Sequence, residues 1–100
     1  SSSAAGRLDL TNKTQALLSY AELKEHNKSI KKAEKAVETA EQRVTKLEEQ
    51  IAEIETKLSL PENASDTTLF KQYGELKSQL TIAEDEWTEA SMKLEELRGN

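Results

Sequence analysis

The sequence has no cysteine, only one proline, three glycines and four aromatic residues. Without cysteine there is neither a disulfide framework nor a thiolate metal site, and a reducing compartment is allowed. So little glycine and proline leaves too few turn signals for a β fold. No apolar run approaches the roughly 18 residues that span a bilayer. Nothing has the charged, apolar and small-residue order of a signal peptide. The phosphate loop GxxxxGK[ST], the dinucleotide signature GxGxxG and the zinc motif HExxH are also missing. One hundred residues leave room for one domain at most.

What is present is charge. Asp, Glu, Lys and Arg make up 33% of the chain, with a net charge of −5. That suits a long, solvated helical object better than a thick globular core. A net acidic chain is not, as a whole, an obvious nucleic-acid binder. The opening SSSAAG, with no Met, reads as a fragment of a longer protein or a tag remnant.

The stretch "LSYAELKEH", residues 18–26, carries three agreeing signals for a helix start. Ser19 is a good N-cap, and Glu22 three residues later completes a capping box. Leu18 and Leu23 occupy the positions of a hydrophobic staple. After it, apolar or small residues fall at Ile30, Ala33, Val37, Ala40, Val44, Leu47, Ile51, Ile54 and Leu58. The steps alternate three and four, an a/d heptad with Ile30 at a. A second series runs Leu69, Tyr73, Leu76, Leu80, Ala83, Trp87, Ala90, Leu94 and Leu97. Between them, Pro61 disfavours helix at Leu60, Asp66 or Ser65 can cap the next helix, and Gly99 supplies a stop.

The expected fold is therefore all-α: a two-helix antiparallel coiled-coil hairpin with a short N-terminal arm. The expected parts are an arm over residues 1–17 and a coiled-coil domain over 18–98. Within that domain the helices cover about 19–59 and 67–98, joined by a turn at about 60–66. The arm, with Leu8, Leu10, Leu17 and Leu18, is expected to fold back over the open end of the first helix. A solvated tail is the competing reading for residues 1–7. Placing Leu58 against Leu69 makes paired positions sum to about 127. Trp87 then lies over Ala40, large against small, and is expected in the core. Arg43 then faces Glu86, Glu48 faces Lys77, and Glu41 faces Glu84.

Few residues stand out chemically. His26 falls on the seam and lacks enough neighbouring ligands for a metal, so it reads as a half-buried structural histidine. The many Glu residues read as solvated charge rather than a catalytic pair, because a helix without a cleft offers no site. Three glycosylation sequons read as chance without a secretory signal. Lys24, Lys28, Lys31, Lys32 and Lys35 form one outward-facing basic stripe, about 16 Å long at helical rise. Such a stripe can lie along a phosphate backbone. It can equally be a solvated face, which the acidity of the chain favours.

Three segments, taken in order, resemble a known family. "LSYAELKEHNKSIKKAE", "KLSLPEN…FKQYGELKSQL" and "EDEWTEASMKLEEL" resemble the C-terminal domain of ABC-F ATPases, the Uup-like branch in particular. The resemblance covers about residues 17–98. It implies a cytoplasmic parent with two ATP-binding cassettes and no membrane domain, acting on the ribosome and translation. It also implies DNA binding by this coiled coil. ATP and Mg would belong to the parent's cassettes, with no cofactor in this chain. The net charge departs from a DNA-binding version, which would be basic. The function expected on this basis is a non-catalytic, monomeric arm touching DNA, ribosomal RNA or the ribosome through the five lysines. The alternative is a structural or protein-interaction arm that binds no nucleic acid.

Overall fold

The computed structural model describes the backbone of residues 2–99 and the side chains of residues 9–99. Helix α1 spans Ser2–Leu58. A short 3-10 turn covers Pro61–Asn63. Helix α2 spans Thr67–Arg98 and packs against α1. There is no strand among the described residues. The molecule is a rod of 93 × 20 × 14 Å.

The turn forms where the chemistry of proline requires it. Leu60 is extended, φ −81° and ψ 132°, as the residue before a proline prefers. The Ser59 hydroxyl donates to the Thr56 carbonyl at 2.6 Å, and the Asn63 amide donates to the Lys57 carbonyl at 2.9 Å. These bonds satisfy carbonyls that the end of α1 leaves without intrahelical partners. Of the two candidate caps for α2, Asp66 serves: its Oδ1 accepts from the Leu69 N–H at 3.1 Å. Gly99 closes α2 in the left-handed region, φ 77°, and its N–H bonds back to the carbonyls of Glu95 and Glu96, a glycine stop.

The heptads become the seam. Ala33, Ala40, Leu47, Ile51 and Ile54 of α1 are buried, and so are Ala83 and Leu94 of α2. The other seam positions are half-buried, apart from Trp87. Contacts across the seam follow the antiparallel register. Arg43 pairs with Glu86 at 2.7 Å, as the sequence predicts. The Tyr73 hydroxyl donates to Glu55 at 3.1 Å, and Arg98 pairs with Glu34 at 2.9 Å. The predicted Glu48–Lys77 pair does not form; Lys77 Nζ instead lies 5.0 Å from the centre of the Tyr73 ring.

Four expectations need correction. First, Trp87 is 40% exposed rather than a core residue. Its indole N–H is a donor that needs an acceptor where the ring packs against protein. The ring therefore sits at the seam edge, where Nε1 donates to Glu41 Oε1 at 3.2 Å. The same bond engages Glu41, which the sequence sets opposite Glu84 as a repulsive pair. Second, α1 does not begin at Ser19. The capping box lies inside a helix that already runs through it, because a cap ends a helix only where the preceding backbone turns away. Residues 9–18 contain no breaker, and two local contacts stitch them. Lys13 pairs with Asp9 at 3.4 Å, and the Thr14 hydroxyl donates to the Leu10 carbonyl at 2.9 Å. Third, the N-terminal stretch does not fold back. Every side chain from Asp9 to Ser29 is exposed, so about 30 Å of single helix projects past the end of α2. Fourth, His26 lies in this projection, beyond Gly99 in the register, and is exposed rather than half-buried. The tail reading of residues 1–7 and the side chain of Leu8 lie outside the described side chains.

Candidate functional site

The five lysines are exposed, and the structure divides them. At 3.6 residues per turn, positions four apart form ridges on a helix surface. Tyr20, Lys24 and Lys28 make one such ridge, and Leu23, Asn27 and Lys31 make the next. These six residues line a shallow groove. Lys32 and Lys35 belong to a second groove, further toward the turn, which also includes Ala40, Arg43, Glu86 and Ala90. The basic stripe is thus two adjoining surfaces, one on the projecting single helix and one on the two-helix body.

The two surfaces differ electrostatically. Lys35 has a carboxylate partner, Glu38, at 3.8 Å. Lys24, Lys28, Lys31 and Lys32 form no ion pair among the described residues. Glu22 and Glu25 neighbour the first groove in sequence. At about 100° per residue they point more than 120° away from its centre. Glu34, the next carboxylate toward this face, is held by Arg98. The groove therefore carries three cationic head groups with no carboxylate among its lining residues.

Periodicity alone overlooked Tyr20 as a member of this surface. It is 67% exposed and heads the ridge that Lys24 and Lys28 continue. The spacing of 20, 24 and 28 was the available signal, masked by reading Tyr20 as part of a helix start. Leu10, Leu17, Leu18 and Leu23 are also exposed along the projection.

Among the described residues no group of three His, Cys, Asp or Glu side chains could hold a metal ion. No helix among the described residues is long and apolar enough to cross a membrane. The arrangement sets cationic and aromatic groups side by side on an exposed helix face. Compared with protein-family models, with curated proteins and with solved structures, the chain matches none.

Proposed function

We propose that this chain is a non-catalytic coiled-coil arm that contacts nucleic acid, DNA or ribosomal RNA, through the lysine face of α1. The observation that carries the reading is the run of exposed lysines, four of the five without an ion pair, on and beside a helix that projects beyond its partner. The ABC-F resemblance agrees with it, and on that reading the arm belongs to a larger cytoplasmic ATPase whose cassettes handle ATP. Binding of this kind is carried by phosphates and is indifferent to sequence, since no residue set here is arranged to read base edges.

Lys28→Glu with Lys32→Glu tests the proposal. The double variant weakens binding of the 100-residue chain about equally for all sequences, while helix content holds, because both side chains point to solvent. On duplex DNA the log–log salt slope reaches at most about −4 to −5 for five lysines, at roughly −0.9 per phosphate contact. A chain that leaves duplex DNA, single-stranded DNA and ribosomal RNA unbound at low salt near ~1 mM contradicts it, since non-specific binding normally lies at ~10⁻⁴–10⁻⁶ M.

The exposed Leu10, Leu17 and Leu23 support a second reading, a protein-docking arm. It predicts no binding to DNA or RNA with every lysine intact.

A further inference from the structure

We infer that the groove lined by Tyr20, Leu23, Lys24, Asn27, Lys28 and Lys31 is a site for single-stranded rather than duplex nucleic acid. The inference rests on the nucleic-acid reading above and goes beyond it by naming the form of the ligand and the residue that selects it. Tyr20 is the selecting residue. An exposed phenol ring beside cationic head groups is the pairing that single-strand sites use: bases stack on the aromatic face while the backbone lies along the positive charge. A duplex keeps its bases stacked inside the helix, so it gains charge contacts from the lysines and nothing from Tyr20.

The geometry agrees with a short strand. From Tyr20 to Lys31 the groove runs about 16 Å at 1.5 Å per residue. That is the length of about five stacked nucleotides at 3.4 Å each. Tyr20 sits at one end, with Lys24, Lys28 and Lys31 following at intervals of about 6, 6 and 4.5 Å. A base stacked on the phenol thus leaves the next phosphates over the lysines. Leu23 adds apolar surface beside the ring. Asn27, between the lysines, offers a donor and an acceptor to the sugar–phosphate backbone. Stacking is sequence-tolerant because every base has a π face, so the site distinguishes the form of the nucleic acid and not its sequence.

The experiment compares wild type, Tyr20→Ala and Tyr20→Phe in the 100-residue chain by fluorescence anisotropy. The probes are labelled oligothymidine and oligouridine of about ten nucleotides and a DNA duplex of the same length, at low salt. Circular dichroism confirms that helix content is unchanged. Tyr20→Ala is expected to weaken single-strand binding by roughly 5- to 150-fold and to leave duplex binding within a factor of about two. Tyr20→Phe keeps the ring and retains single-strand affinity. The single-strand salt slope is expected near −2, from three lysines at about −0.7 each. Equal effects of Tyr20→Ala on strand and duplex, or no effect on either, overturn the inference while the lysine reading stands. Failure of wild type to bind any probe overturns both.

Discussion

One helix, α1, contains two regions that obey different physics. From Ile30 to Leu58 it is paired, and Leu47 and Ile51 are 5% and 9% exposed. From Asp9 to Ser29 it is alone, and Leu17 and Leu23 are 69% and 57% exposed. Both regions are free of proline, and both are continuous helix. In the paired region the heptad places apolar side chains against α2, and burial supplies the stability. In the projecting region only propensity, i,i+4 contacts and continuity with the rest of α1 hold the helix. Helix nucleation is costly and most helical stability in proteins comes from packing of an amphipathic face, so the projection depends on the hairpin that nucleates it. Apolar side chains do not by themselves build a core: they must recur on one face, opposite a partner that reaches them.

The sharpest way to break the contrast is to remove a seam side chain. Leu47→Ala is expected to cost ~2–5 kcal/mol, the range for a truncated buried leucine. Leu17→Ala, the same change on the projection, is expected to fall within ~0.5 kcal/mol. Urea unfolding of the two variants side by side checks this. Similar losses at both sites would mean that the projection is covered.

The Trp87 layer comes next. Trp87→Ala is expected to cost about 3 kcal/mol, the low end for a large aromatic, because 40% of the residue is already wet. Ala40→Leu overpacks the same layer and is expected to cost ~1–3 kcal/mol. Native fluorescence should be intermediate, between a buried indole and free tryptophan. A fully blue-shifted native spectrum would place the ring inside the seam instead of on its rim.

A smaller effect sharpens the comparison in the other direction. Gly74 is inside α2, and a Cβ there meets nothing within 4 Å. Gly74→Ala should therefore raise stability by ~0.5–1 kcal/mol, the usual cost of glycine in a helix interior. A loss of stability would show that the backbone at Gly74 touches something not seen here. The Arg43–Glu86 bridge is the smallest term. Its side chains are 44% and 52% exposed, and exposed pairs contribute only ~0–1 kcal/mol.

The paired region was legible in the sequence because the heptad is a direct consequence of burial. A register built on Leu58 against Leu69 anticipates the buried residues and the Arg43–Glu86 pair. The projecting region was not legible, for a reason particular to its residues. Ser19 and Glu22 form a capping box only if the chain before them leaves the helix, and nothing in residues 9–18 makes it leave. His26 continues the heptad on paper, but the seam is already over, because α2 stops at Arg98 and Gly99 caps it. Trp87 was read as core, because spacing does not report that an indole N–H needs an acceptor, which Glu41 provides at the seam edge. The lysines were visible as one outward-facing stripe. Their division into two grooves, and the presence of Tyr20 in one of them, required the ridge geometry of the folded helix.

The central claim is that the paired region of the hairpin is scaffold and that the lysine face extending onto the projecting helix is the contact surface. Backbone amide NMR on the 100-residue chain, titrated with short oligothymidine at low salt, tests it most directly. The account predicts shift perturbations concentrated between Tyr20 and Lys35, growing with added strand and vanishing as salt is raised, while the seam amides from Val44 to Leu80 hold still. Perturbations centred on the turn or on the outer face of α2, or none at all while the chain remains folded, would contradict it.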